Sequence, residues 1–318
     1  MGRADDTRAF CGTDQGLYLL DTISGEGELV DMEKVIFLYN IDESHVLVGF
    51  GSERCSVYKT LPVLSLVPRF KFASPGGGRC TSGCLITSSS EYASLLVLAF
   101  QKHLSCVDLH GMALIDKDPD ALSGGSPCVR SLSHNYFAAV TDYLKGSLGI
   151  HLLKLCSADS KLGFKNLSTT EISNGVWHIE SIKVSRGPRI LYSSRGEIGL
   201  LSFSESVEQL IPYTKIRFDR EMIFASLLNF AIRDEMVVIL AAAYQEARIY
   251  QVIYNTEKGS LAHARAPEIS HMNHMFFCRM HQRQIEIHKN HEGIVNIIAL
   301  EADLEGRRLA NLSLRLDS

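Results

Sequence analysis

Residues able to do chemistry gather in three places along this 318-residue chain. His271, His274, His281, His288 and His291 surround Cys278, and imidazoles with a thiolate are competent metal ligands. Their spacing matches no zinc pattern, and strand alternation sends several of them to different faces, so structural or solvent-facing histidines are expected. Cys80 and Cys84 stand four apart beside a glycine run, with His103 and Cys106 on the strands that follow. A four-ligand site would need all of them to converge at about 2.3 Å from one ion; packing inside apolar segments is the simpler expectation. Pro75-Gly76-Gly77-Gly78-Arg79 has the glycine content of a phosphate-cradling loop. It lacks the Gly-Lys-Ser/Thr ending, and no helical pattern follows it. Metalloprotease, nucleophile-elbow and kinase phrases are absent, and Ser, His and Asp are spread without triad information. The sequence therefore points to no catalytic residue, no cofactor, no metal and no small-molecule substrate.

Composition narrows the class. Hydrophobic residues make up 46% and charged residues 21% of the chain, enough apolar material for a core. A formal net charge of -4 gives no general attraction to a polyanion. Mixed signs at Arg217, Asp219, Arg220 and Glu221 read as a solvated face. Direct nucleic-acid binding is not expected. The opening Met1-Gly2-Arg3-Ala4-Asp5-Asp6 shows no secretory pattern, and Asp6 stands where a myristoylation signal takes Ser or Thr. The apolar runs at 94–100 and 236–243 are strand length, far below the roughly 18 residues of a membrane helix, so no membrane insertion is expected. Eight scattered cysteines, mostly in apolar segments, suit reduced thiols and a cytoplasmic or nuclear location.

The elements that would position any site come from a repeat. An apolar strand, a short polar break and a second, alternating strand recur seven times. The second strand begins near 16, 55, 104, 149, 198, 247 and 284, giving steps of 39, 49, 45, 49, 49 and 37. Steps of about 45 residues match four-stranded propeller blades. The preceding strands, at 45–50, 95–100, 136–141, 189–194, 236–244 and 275–280, are apolar on both faces, as strands sandwiched between layers must be. Turn formers such as Thr13-Asp14-Gln15-Gly16 and Gly51-Ser52-Glu53-Arg54 separate the two. Residues 221–232 read as strand or helix. The expected fold is all-β: a single seven-bladed β-propeller spanning 1–318, closed by pairing of the C-terminal strands, at 293–300 and 308–314, with the N-terminal blade around Ala9 to Asp21. The Gly/Pro-rich stretches at 74–79 and 117–127 read as surface loops open to partner contact or simply mobile.

The phrase Cys11-Gly12-Thr13-Asp14-Gln15-Gly16-Leu17-Tyr18-Leu19-Leu20-Asp21 resembles the first blade of the citron-homology domain, and residues 33–38 and 45–48 are similar in layout. The blade plan is that of WD-repeat proteins, but their Gly-His and Trp-Asp phrases are missing and Trp177 is the single tryptophan. Plain packing is expected to replace their polar network. The chain is thus identified as a divergent WD-repeat-like or citron-homology-like propeller. That resemblance implies a protein-interaction module, a subunit of a larger assembly or a partner of small GTPases.

The functional expectation is a non-enzymatic scaffold binding other proteins through rim loops and blade edges. Tyr143, Tyr213, Arg220 and Tyr254 are the candidate partner-binding anchors, because aromatic and arginine side chains dominate interface energetics; taken singly, each reads more readily as ordinary surface or blade packing. Two alternatives stay open. An enzyme or enzyme regulator using the central channel would gather acidic or His side chains at a channel mouth. A nucleic-acid-associated subunit would carry a continuous basic stripe.

Overall fold

Every sheet among the described residues is built by antiparallel pairing between strands that follow one another in the chain. The computed structural model describes residues 2–315 except the connecting segments at 4–7, 22–23, 25, 42–43, 61–63, 67, 74–76, 87–93, 109–112, 119–121, 123–127, 142–146, 159–160, 195, 218–224, 234–235, 244–247, 266–284, 290–293 and 303–306. Of strand residues 225–251 other than Val237, and of those beyond 262, the backbone alone is described.

The first sheet comprises β1 (Gly2–Arg3), β2 (Arg8–Thr13), β3 (Gly16–Asp21) and β4 (Gly27–Asp31) in sequence order. The second comprises β5 (Val35–Asn40), β6 (His45–Phe50), β7 (Arg54–Lys59) and β8 (Phe70–Ala73). The third comprises β9 (Cys80–Ile86), β10 (Leu95–Phe100), β11 (His103–Asp108) and β12 (Ala113–Asp118). A seven-stranded sheet follows, built from β13 (Cys128–Ser133), β14 (Tyr136–Val140), β15 (Ser147–Ala158), β16 (Lys161–Val184), β17 (Gly187–Ser194), β18 (Glu197–Ser204) and β19 (Gln209–Arg217). Then come a four-stranded sheet of β20 (Ala225–Arg233), β21 (Met236–Ala243), β22 (Arg248–Asn255) and β23 (Ser260–Arg265), and a three-stranded one of β24 (Ile285–Lys289), β25 (Ile294–Ala302) and β26 (Arg307–Arg315).

The seven-stranded sheet is two four-stranded units sharing one strand. The first part of β16 pairs with β15 and the last part with β17. Gly175, at φ 72°, lies at the changeover, where a side chain would be strained. Every expected marker strand lies on a strand of the structure, as β3, β7, β11, β15, β18, β22 and β24. The helix-or-strand segment resolves into β20 over Ala225–Arg233, with residues 221–224 outside the described set. The expected strand at 275–280 also lies outside it.

The tail departs from expectation. Its two strands exist as β25 and β26, but they pair with β24 and with each other. The strands around Ala9–Asp21 pair instead with β1 and β4. Among the described residues no ladder joins the β24–β26 sheet to the first sheet.

Packing explains the double-sided apolar strands. One buried cluster joins Phe10, Leu17 and Leu19 of the first sheet to Val46, Val48 and Phe50 of the second. The opposite face of the second sheet, with Leu47, Cys55 and Val57, meets Leu96, Leu98 and Phe100 of the third. The third sheet turns Val97, Ala99 and Cys106 toward Val129, Phe137 and Leu153. Two further clusters continue the series to Val237 and Val252. Among the described residues, the middle strands β2, β6, β10, β14 and β17 are therefore walls between two cores. Gly83 shows how tightly the walls meet: a Cβ there would collide with the Leu47 side chain of the neighbouring sheet.

Candidate protein-interaction surface

The second cysteine set separates. On β9, Ser82 pairs with Ala99 and Cys80 with Phe100, so Thr81 is an extra residue that reverses the alternation. Cys80 consequently lies with Phe100 and Leu98 on one face, while Cys84 lies with Cys106 and Leu104 on the other. His103 stacks on Phe100 at 4.9 Å between centroids, on the Cys80 side. The four residues serve two different cores. Burial pushes the Cys106 thiol up to about 12, with Asp108 adding to the shift, and burial likewise raises Cys84 and Cys80. These are inert packing thiols. His271, His274, Cys278, His281 and His291 lie outside the described residues, and of His288 the backbone alone is described, on β24.

Polar ties join sheet to sheet, where the sequence pointed to plain packing alone. Arg54 of β7 donates to Asp31 (3.0 Å) and through Nε to Glu33 (3.0 Å), and its guanidinium covers the Phe50 ring at 4.0 Å. Burial works against Glu33 ionising, but bonds from Ser52 and Arg54 outweigh it and hold its carboxyl below the usual range. A deeper network crosses the leading strands β5, β9, β13 and β16. Arg130, 5% exposed, donates from Nε and Nη2 to the two oxygens of Glu180 at 2.8 and 2.9 Å. Its Nη1 donates to Ser82 Oγ at 3.0 Å and the Val129 carbonyl at 2.8 Å, and the guanidinium sits 4.1 Å over Tyr39. His178 Nε2 meets Glu180 Oε1 at 2.8 Å. Burial raises the Tyr39 phenol pKa, against the opposing pull of Arg130. Sequence reasoning missed this network because its members are single residues spread from 39 to 180; only the side-by-side leading strands unite them.

Two of the four expected anchors come together. Tyr213 on β19 and Tyr254 on β22 meet edge-to-face, 6.3 Å between centroids at 88°. Tyr254 is 1% exposed and belongs to the core between its sheet and the seven-stranded one, whereas Tyr213 is 39% exposed. Tyr254 is thus a blade-packing residue in this chain, and Tyr213 the accessible member. The Arg189 guanidinium lies 4.9 Å over the Tyr213 ring and donates from Nη1 to the Pro188 carbonyl at 3.1 Å. The β22–β23 turn reaches the same ring through Gly259, whose φ of 65° and contact with the Tyr213 hydroxyl leave no room for a side chain. Tyr143 and Arg220 lie outside the described residues.

β19 is the outer strand of its sheet, pairing with β18 alone among the described residues. It presents Ile211 (43% exposed) and Tyr213, with Val207 exposed in the turn before it. Lys215 and Arg217 follow, and both approach the buried carboxylate of Glu197, at 3.0 and 3.7 Å. Among the described residues no helix is long and apolar enough to cross a membrane, and no group of three or more His, Cys, Asp or Glu is placed to hold a metal ion.

Known structures share this fold. Sqt1 of Saccharomyces cerevisiae aligns over 100% of this chain and 83% of its own, at 13% identity and a TM-score of 0.58. The WD40 β-propeller domain of Doa1 aligns over 93% and 86%, at 15% identity and a TM-score of 0.50. KlAtg21, solved in complex with the coiled-coil of AgAtg16, aligns over 78% and 77%, at 10% identity and a TM-score of 0.55. No family model matches the chain, and no curated protein matches it. The fold is that of the WD40-type β-propellers.

Proposed function

We propose that residues 1–318 form one seven-bladed propeller domain, closed into a ring, that serves as a non-enzymatic scaffold within a multiprotein complex. The observation that carries the scaffold reading is the exposed Ile211–Tyr213 edge, mounted on a wall with a buried core behind it. Rigid backing lowers the entropic cost of binding, and an exposed tyrosine is a favourable anchor. Against a catalytic role for the leading strands, both Glu180 oxygens are already engaged, by Arg130 and His178. A polar group held in such a fork serves to join sheets.

Ring closure by packing is supported at the other end of the chain. Ala9 and Cys11 lie on the face of β2 opposite Phe10, away from the second sheet, yet they are fully buried. Something must cover that face, and the β24–β26 sheet is the unit left to do so. The β16 strand counts twice, which makes seven blades of the six sheets.

Protein partners fit the fold class: KlAtg21 is known in a complex with a coiled-coil. A small GTPase is the further partner class implied by the opening phrase at residues 11–21. Buried reduced thiols suit the cytoplasm or nucleus. Affinity purification from the native source, with mass spectrometry of the eluate, is the test. The expected result is co-purification of proteins in fixed stoichiometry. A chain that runs alone and turns over a small molecule would overturn the proposal.

A further inference from the structure

Beyond the Ile211–Tyr213 edge, and independently of it, we infer that β4 is the docking edge for a basic strand segment of a partner protein, which adds to the four-stranded first sheet as a further strand. Three observations carry this. First, the backbone is available. β4 is the outer strand of its sheet and pairs with β3 alone among the described residues. The Asp21 amide donates to the Glu26 carbonyl, and bonded and non-bonded pairs alternate along an antiparallel ladder. The Leu19–Glu28 pair is therefore bonded, while Gly27 and Leu29 turn their N–H and C=O groups outward. Both residues are exposed, and neither has a backbone partner outside the sheet among the described residues.

Second, the two faces of this edge differ in kind. Leu29 pairs with Tyr18, and Leu20 lies over Gly27 where a side chain would stand, so one face is apolar. Leu29 is 41% exposed there. Glu28 pairs with Leu19 and projects to the opposite face, as does Glu26 two positions before it.

Third, that opposite face is acidic and uncompensated. Residues 9–33 contain six carboxylates and no Lys, Arg or His. Lys34 pairs with Asp14, and Arg54 pairs with Asp31 and Glu33. Glu26 and Glu28 are exposed and have no ion-pair partner among the described residues. The occupant therefore carries Lys or Arg at alternate positions, beside Glu26 and Glu28, and apolar residues between them, beside Leu20 and Leu29. Val30 is an extra residue between the Leu29 and Asp31 pairs and ends the regular edge, so the added segment is short. A second copy of this chain is a poor fit, because two β4 edges would set these carboxylates against their own counterparts. The same charge repels a nucleic acid.

Random peptides displayed on phage are selected on the full chain, and the enriched sequences are measured by fluorescence anisotropy. The proteins compared are the natural chain, Leu29→Pro, Leu29→Thr, Glu26→Gln/Glu28→Gln and, on the other edge, Ile211→Ser. Proline at 29 removes an outward N–H and no ladder bond, which an edge strand tolerates; Leu29→Thr changes the side chain alone. Thermal melts confirm that the variants fold. The expected peptides alternate basic and apolar residues and weaken as salt is raised to about 0.5 M. They bind Leu29→Pro and Glu26→Gln/Glu28→Gln about tenfold more weakly, Leu29→Thr with a smaller loss, and Ile211→Ser normally. Hydrogen exchange at the Gly27 and Leu29 amides should slow when the peptide is bound. No enrichment, enrichment of acidic or neutral peptides only, equal binding to either β4 variant, loss in Ile211→Ser instead, or unprotected amides would each overturn the inference. Should Leu29→Pro fail to fold, the glutamine variant and the amide protection still decide. Native co-purification would stand in all these cases, so the scaffold reading is judged separately.

Discussion

Replacing Arg130 by Met tests whether the network across the leading strands holds the sheets together. The substitution keeps much of the side-chain length but removes two bonds to Glu180, one to Ser82 and one to the Val129 carbonyl. It also strands a carboxylate that is only 15% exposed, with His178 as its remaining partner in this network. Breaking a buried ion pair from one side costs about 3–5 kcal/mol. Two charge-assisted bonds at roughly 1.5–3 kcal/mol each give about 3–6 kcal/mol, which spans that range. With an unfolding entropy of about 2.1 cal/mol/K per residue over 318 residues, that loss lowers Tm by about 5–7 °C. The double variant Arg130→Met/Glu180→Gln removes the stranded charge and retains an amide for His178, so it is expected to melt about 2–3 °C above Arg130→Met. Differential scanning calorimetry of the natural chain, both singles and the double reads the cycle. An unchanged Tm for Arg130→Met, or a double variant whose losses simply add, would refute the account of Arg130 as the tie between sheets.

Alkylation of the folded chain with iodoacetamide should label the half-buried Cys156 well before Cys55, Cys80, Cys84 and Cys106, as read by peptide mass spectrometry; early labelling of Cys84 or Cys106 would contradict their burial. The raised thiol pKa values also set an alkaline limit. Unfolded thiols ionise near about 8.5 and the folded ones only far above, so the unfolded state loses protons first and stability falls as pH rises past that point. Urea midpoints at pH 7 and pH 10 measure it. Glu33 acts in the opposite direction: its depressed pKa adds stability above about 4.3, lost as pH falls, and Glu33→Gln should flatten that part of the acid profile. Gly83→Ala should cost about 1–3 kcal/mol by forcing Leu47 of the next sheet aside, visible as a lower urea midpoint. Deleting residues from 294 onward removes β25 and β26 and should abolish cooperative folding; a soluble truncation with a sharp melt would sink the closed-ring proposal.

Much of the strand pattern is written locally. Phe50, Phe100 and Val140 end runs that are apolar on both faces, and such runs can only be walls between two cores. Turn chemistry at Thr13–Gly16 is likewise local, with Thr13 Oγ1 accepting from the Gln15 amide. The β9 bulge was not legible, because inserting Thr81 opposite the Ala99–Phe100 step is a matter of register between two strands. A spacing of four would put Cys80 and Cys84 on one face of a regular strand, and that single extra residue sends them to different cores.

The sequence by itself determined that the chain is all-β, the rhythm of its strands and the absence of familiar catalytic phrases, since alternation and turn propensity act over a few residues. Tertiary structure alone decided which polar residues meet. Arg130 finds Glu180 fifty residues away and Arg189 finds Tyr213 because the sheets bring distant strands within a few ångströms. It also decided that Tyr254 is core and Tyr213 surface, a difference that no local pattern carries, because each is a tyrosine on a strand and burial depends on which sheet stands opposite.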